Sequence, residues 1–456
     1  IISIMEEQTS TPFEMRLSDV PTMPSPELDL TYATAIPSNG GVFTQNQEVR
    51  IPFNVPQNAF CDLKRAYLTY NLKNTSGAIL YLDPVIGGAT IIDTMRIVGG
   101  TGALLEEITH YNAYYASLKT NDNHYKNSSL GHEMEGAGTD SCVDLTNKAT
   151  GMAEADLTDT GLTQMAVGAT RGITHRPASG FMNADRYMPL GYTQGVSYLS
   201  LTLCANATAM IASTEANASG FEASNWELHL PILRPGPEFS AMFRSAMASG
   251  VPIQIHSVSA QNTQQTITGG PSTSETLTFS TRKRSVKSLV SACRINSAIT
   301  NVFNTSVSGF TNVSITKYNW SVGGLRIPAQ EIAVSEFNTG QLIANTQLAL
   351  GHFNSDLRGV DCIAGLDLPK PVSIYYRKPA DDYLGKNSKC LFCLDLESYN
   401  ASYAGKNLAG QGLPLVLHCL TGAGSQIIGS SLVDCWVIHD VMYILEGQTG
   451  VINANS

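Results

Sequence analysis

Four groups of residues in this chain have types and spacings that invite a chemical reading. The first is Arg96-Ile-Val-Gly-Gly-Thr-Gly-Ala-Leu-Leu-Glu-Glu, a strand running into a glycine-rich turn and then a helical pattern. A dinucleotide site would need a third glycine where Leu105 stands, and a phosphate-binding loop would need a lysine near the helix start. Neither is present. Glu106 and Glu107, in the expected first helical turn, would take the positive end of the helix dipole themselves and repel a phosphate. The second group is the histidines. A two-barrel metal enzyme of the bicupin type needs two imidazoles at alternate strand positions, but His110, His124, His132, His175, His229, His256, His352, His418 and His439 are all solitary.

The third group is Cys390-Leu-Phe-Cys393, followed by His418, Cys419, Cys435 and His439. Zinc would require a second close pair, and the alternation around Cys390 reads as a strand with buried thiols. The fourth is Arg282, Lys283, Arg284 and Lys287, the densest positive cluster. It reads as a solvated strand face that discourages edge pairing, or as a contact for an acidic partner such as this chain's own acidic arm in a neighbouring copy. No Gly-x-Ser-x-Gly elbow occurs, and Trp226, Trp320 and Trp436 sit in alternating segments as expected core residues. No catalytic, cofactor-binding or metal-ligating residue is therefore assigned, no cofactor is expected, and the chain does not read as an enzyme.

The elements that carry these residues are strands. Val196 to Leu203 alternates with period two, placing Leu199, Leu201 and Leu203 on one face. Trp226, Leu228, Leu230 and Ile232 alternate again, with Pro231, Pro235 and Pro237 expected to stop the pairing. Further strands are expected around Val49 to Phe53, Lys64 to Leu72 and Ile91 to Val98. In the second half they fall in VPIQIHSV from Val251, VSITKYNWSV from Val313, KPVSIYYRKPA from Lys370, KCLFCLDLES from Lys389, LPLVLHCL from Leu413 and DCWVIHDVMYILEG from Asp434. Leu104, Ile108, Tyr111, Tyr115 and Leu118 recur at helical spacing, which predicts an amphipathic helix over Ala103 to Lys119. Shorter helices are expected at Phe239 to Met247 and Glu336 to Leu350. From Thr120 to about Arg186 the pattern dissolves into Gly, Asn, Thr, Asp and Ala. EVRIPFNVPQN at Glu48 faintly echoes VPIQIHSVSAQN at Val251, the kind of trace a duplicated barrel would leave.

Composition bounds the partners. The 456 residues suffice for two cores of roughly 200 residues each. Charged residues make up 14%, against about 25% in ordinary soluble domains, which suits burial against other copies. A formal charge of −10 offers no attraction to a phosphate backbone, so direct nucleic-acid binding is not expected. Residues 1 to 40 carry Glu6, Glu7, Glu14, Asp19, Glu27 and Asp29 against Arg16 alone, and read as an extended arm that contacts neighbouring protein. Nine cysteines, an odd number and mostly dispersed, are expected to be reduced, packed thiols in a chain that folds inside a cell. Eight Asn-x-Ser/Thr sequons, Asn74 and Asn319 among them, would serve a secreted protein. No apolar run approaches a membrane span and no signal peptide is visible; the start at Ile1 is consistent with a missing upstream piece.

The stretch from Arg186 to Phe239 also carries a resemblance. A Pro-Leu step, an alternating strand, a polar linker, an aromatic-led strand and Arg and Glu ahead of a Phe and a short helix together resemble the junction in double jelly-roll major capsid proteins of double-stranded DNA viruses. The likeness is nearest to the polinton-like and virophage-type branch. The succession RIPF, AYLTYNL and IIDTMRIVGG, and the closing strands at Leu394 to Glu397 and His439 to Leu445, are similar to the same family. The resemblance implies an all-β fold of two jelly-roll barrels with a few short helices and long surface loops. The expected division is an arm at 1–40, a first jelly roll at 41–222, and a second with a C-terminal tail at 223–456. It further implies a homotrimer with a pseudo-hexagonal footprint that tiles an icosahedral virion shell assembled inside the host cell. Penton and minor capsid proteins would be its partners, and an internal membrane is left open. The alternative is a secreted carbohydrate-binding β-sandwich protein using the sequons and exposed aromatics.

Overall fold

A computed structural model of the chain describes residues 28–120, 134–135, 164–205, 211–212, 220–295, 307, 310, 315–350, 391–398, 404–410, 414–420 and 431–456, apart from 78–79, 84–85, 185, 251, 268–273 and 335–339. Within them, and apart from five two-residue strands, there are seventeen strands, of which sixteen fall into two sets of eight. In the first set are β1 (Leu28–Ala35), β2 (Glu48–Pro52), β3 (Tyr67–Asn74), β4 (Ile92–Val98), β5 (Leu104–Ile108), β6 (Thr170–His175), β7 (Tyr198–Leu203) and β8 (Phe221–Pro235). They form two antiparallel sheets in the orders β1-β8-β3-β6 and β2-β7-β4-β5. First lies beside last and second beside seventh, which is the winding of a jelly roll. The period-two pattern explains the packing. Leu199, Leu201 and Leu203 of β7, with Val49 and Ile51 of β2, form the inner face of one sheet. Leu68 and Leu72 of β3, with Leu228 and Leu230 of β8, form that of the other. Trp226 stacks on Tyr70 between them at 4.1 Å.

The second set repeats the winding. It comprises β9 (Ile253–Ile267), β10 (Ser274–Phe279), β11 (Val286–Ile295), β12 (Lys317–Val322), β13 (Leu325–Ala333), β14 (Leu391–Asp395), β15 (Leu415–Leu420) and β16 (Ser431–Leu445). The sheet orders are β9-β16-β11-β14 and β10-β15-β12-β13, the first barrel's orders with eight added to each number. An added strand, β17 (Ile452–Asn455), pairs with β16. Helix α1 (Tyr111–Thr120) follows β5 and helix α3 (Gly340–Ala349) follows β13, the equivalent place in each barrel, while α2 (Pro237–Ala248) links the two barrels.

Several expectations shift. The helix foreseen over Ala103 to Lys119 is a strand followed by a helix: Leu104–Ile108 pairs with β4, and the chain breaks at His110, whose φ is 51°, before α1 begins. The glycine-rich stretch is thus a hairpin turn, where Gly102 has φ +86° and a Cβ on Gly100 would lie 2.2 Å from the Gln194 carbonyl oxygen. Residues 28–35 of the foreseen arm pair with β8 along their whole length, from Leu28 opposite Pro235 to Ala35 opposite Leu228. Because β8 hydrogen-bonds β1 and β3, residues 221 to 235 sit in the first barrel, and the strands of the second begin at Ile253 rather than near Ala223. Pro231 does not stop pairing, since a proline still offers its carbonyl: Asp62 N–H donates to it at 3.0 Å. The echo between Glu48 and Val251 joins second-strand β2 to first-strand β9, which are not equivalent, so it is no trace of duplication. Within the patternless stretch from Thr120 to Arg186, β6 pairs with β3. Helix α3 occupies the inner part of Glu336 to Leu350, and KPVSIYYRKPA lies outside the described residues.

Candidate assembly surfaces and the joint between the barrels

The sheet β9-β16-β11-β14 is buried on both faces, and alternate residues feed two cores. Leu289, Cys293, Phe392, Leu394, Cys435 and Val437 point into the second barrel. Val290, Ala292, Leu391, Cys393 and Trp436 join a cluster continuous with the first barrel's core. Two-sided burial is why β14 reads as the unbroken apolar run Leu-Phe-Cys-Leu. Across the joint Phe181 meets Tyr443 edge-on at 5.0 Å, and Tyr114 of α1 lies 6.2 Å from Trp436. Gly180 makes this approach possible: a Cβ there would lie 2.4 Å from the Val258 carbonyl oxygen of β9.

One carboxylate holds the joint. The register of β4 and β5 slips between Ile97 and Val98, and both Leu105 and Glu106 are buried, Glu106 with 4% exposure. Its Oε1 accepts from Gly180 N–H at 2.7 Å and from the Ser259 hydroxyl of β9 at 2.5 Å. Its Oε2 accepts from Phe181 N–H at 3.1 Å and from the Ser179 hydroxyl. Ser257 of β9 donates in turn to the Gly180 carbonyl. One charged group thus ties a hairpin and a loop of the first barrel to a strand of the second through charge-assisted bonds. The helical reading of Leu104 to Leu118 obscured it. The available signal was the acid pair Glu106-Glu107 inside Leu104–Ile108: successive strand residues face opposite ways, so one of the two acids must turn inward, where a carboxylate needs partners.

The residues flagged by type and spacing are dispersed. Cys393 faces the joint and Cys435 the second core, while Cys390 lies outside the described residues. Burial pushes the thiols of Cys61, Cys393 and Cys419 up to about 12, so they pack as neutral groups. His256 pairs with Asp440 at 2.8 Å, and the other Asp440 oxygen accepts from the Ser285 hydroxyl. The carboxylate sits in the middle of that chain, so the histidine cannot activate the serine. His418 and His439 lie on different sheets of the second barrel. His124, His132 and His352 lie outside the described residues. Among the described residues, no three His, Cys, Asp or Glu side chains are placed to share a metal ion. The basic cluster divides: Lys287 pairs with Glu397, and half-buried Lys283 donates to the Ser456 hydroxyl. Trp226, Trp320 and Trp436 are all fully buried.

A second buried polar group was not foreseen. Ala178 N–H donates to the Tyr111 hydroxyl, which in turn donates to His175 Nε2 at 2.8 Å. His175 Nδ1–H then donates to Glu135 at 3.0 Å, and the same Glu135 oxygen accepts from Tyr115 at 2.6 Å. Burial alone would raise the Glu135 carboxyl, but the hydrogen bond from His175, with the charge of Lys119 and the bond from Tyr115, brings it below its ordinary value. Burial raises Tyr111 well above the usual phenol range. With its lone pair and its proton both engaged, Tyr111 braces α1 against β6 rather than offering a nucleophile.

The outward faces have a different character. Edge strand β1 exposes Leu30 and Tyr32, edge strand β13 exposes Leu325, and α2 exposes Met242 at 63% with only Ser240 and Met247 buried. Edges with unpaired backbone groups and protruding apolar side chains are sites where further chains add.

No family model matches this chain, and no curated protein matches it. Solved structures do. A chain of the Sputnik virophage cryo-EM structure matches with a TM-score of 0.58 at 12% identity, covering 98% of this chain and 92% of that one. VP54 of PBCV-1 matches at 0.57 and 9% identity, covering 95% and 98%. The Faustovirus major capsid protein matches at 0.56 and 10% identity, covering 97% and 94%. At such identities the likeness lies in the winding and pairing of the barrels, and it spans both: this chain has the double jelly-roll fold of viral major capsid proteins.

Proposed function

We propose that this protein is a major capsid protein, three copies of which form a capsomer that tiles an icosahedral virion shell. The carrying observation is the joint. Two barrels of identical winding are locked side by side by a shared apolar layer and the Glu106 bonds, so one chain is a rigid two-barrel block. Three such blocks arranged about an axis present six barrels, a pseudo-hexagonal outline able to tile a surface. A low charge density and exposed apolar edge residues favour burial against further copies. The division supporting this reading is a first jelly roll over 28–235 and a second over 253–456, with penton and minor capsid proteins meeting the outer edges. The role is structural rather than enzymatic: Tyr111, His175 and Glu135 form a buried hydrogen-bonded chain, and in the His256–Asp440–Ser285 chain the carboxylate stands between histidine and serine. The carbohydrate-binding alternative loses ground because two sequon asparagines, Asn74 and Asn319, are buried at 0% and 2% exposure.

Mass photometry of the purified chain tests the proposal. A particle of three times 48.9 kDa is expected. A monodisperse monomer under conditions that favour assembly would overturn it.

A further inference from the structure

A groove of about 700 Å³ opens where the first barrel, α2 and the start of β9 meet. Its walls are apolar, formed by Phe60, Phe243, Ile253 and Ile255, and its lining also includes Lys64, Arg65 and Arg186, all exposed, against the single buried carboxylate of Asp62. In a chain whose net charge is −10, such a concentration of cations around an apolar floor calls for an acidic, apolar occupant.

We propose that residues 1–27 of the same chain dock in this groove. Three observations on this molecule carry the assignment. The segment opens Ile-Ile-Ser-Ile-Met-Glu-Glu, apolar residues followed at once by two acids, and it carries Glu6, Glu7, Glu14, Asp19 and Glu27 against Arg16 alone. Its charge and apolar content therefore complement both rim and floor. The segment is also rooted beside the groove. Leu30 of β1 and the groove residue Phe60 flank Leu233 of β8 on opposite sides, about 9.6 Å or two strand spacings apart. Finally, a coil of 27 residues spans about 29 Å, so a tether of that length would hold its far end at an effective concentration on the order of millimolar. That concentration favours the segment's own chain over a neighbouring copy. The inference does not depend on shell assembly, since it concerns contacts within one chain.

Carbodiimide cross-linking of the full-length chain, read by mass spectrometry and on denaturing gels, tests it. The reagent joins the Lys64 amine to a carboxylate in contact with it. The expected product links Lys64 to Glu6 or Glu7 and runs at the mass of one chain. Reversing two rim charges with Arg65→Glu and Arg186→Glu, both exposed residues outside the core, should lower that yield roughly threefold or more. Salt at about 0.5 M should do the same to the parent chain, without any substitution. Links from Lys64 only to carboxylates beyond residue 27 would overturn the proposal. So would arm links found only in adducts of two chains, or a yield indifferent to both charge reversal and salt.

Discussion

Replacing Glu106 with glutamine changes one atom in the joint, and the geometry sets the cost. The carboxylate serves four donors, two on each oxygen: Gly180 N–H and Ser259 Oγ on Oε1, Phe181 N–H and Ser179 Oγ on Oε2. Glutamine keeps one oxygen and turns an NH₂ toward the other pair. A serine hydroxyl can rotate to accept from it, but the backbone N–H beside that serine cannot, and stays buried without an acceptor. Two charge-assisted bonds disappear, each worth about 1.5–3 kcal/mol, for a total of about 3–6 kcal/mol. That is a large part of the 5–15 kcal/mol typical of a folded domain. Urea unfolding followed by tryptophan fluorescence reports on the joint, because Trp436 lies in it. The midpoint should fall by an amount matching at least 3 kcal/mol, and hydrogen exchange at the Gly180 and Phe181 amides should accelerate. A loss below about 1 kcal/mol, with those amides still protected, would refute the claim that one carboxylate holds the two barrels together.

Two further outcomes follow from the same core. Gly180→Ala sets a methyl group 2.4 Å from the Val258 carbonyl oxygen, so a backbone segment must move. The thermal midpoint should drop by the equivalent of about 1–3 kcal/mol, whereas Gly41→Ala, where a Cβ meets nothing, should leave it nearly unchanged. His439 should make stability fall with acid. Desolvation by burial, followed by the nearby charge of Lys283, lowers it from 6.5 to about 4. Between those values the unfolded chain takes up a proton that the folded chain refuses. The stabilisation is therefore whole above pH 6.5 and disappears as pH falls toward 4, at a cost of about 3 kcal/mol. Urea midpoints measured across that window should show the slope in the parent and lose most of it in His439→Gln.

Much of the fold was written locally. Alternation along Tyr198–Leu203 and along Trp226 to Ile232 is a property of neighbouring residues, because successive strand side chains must face opposite ways, and it identified strands that the structure contains. The absence of paired histidines and of a second close cysteine pair was equally visible. Where two periods overlapped, local reading failed. Leu104, Ile108, Tyr111 and Tyr115 satisfy a helical spacing, yet Leu104–Ile108 extends because β4 offers it backbone partners and His110 breaks the run.

What the amino-acid sequence determined by itself was the all-β character, the sparse charge and the acidic composition of residues 1–27, all set by composition or by residues within a few positions of one another. Only the tertiary structure decided that β1 belongs to the first barrel, that the second begins after α2, and that Glu106 is the tie between them. The donors to Glu106 lie 73 to 153 residues away along the chain. Nothing in the spacing around residue 106 encodes partners at such separations; they meet only because two windings of eight strands bring a hairpin, a loop and a distant strand to one point.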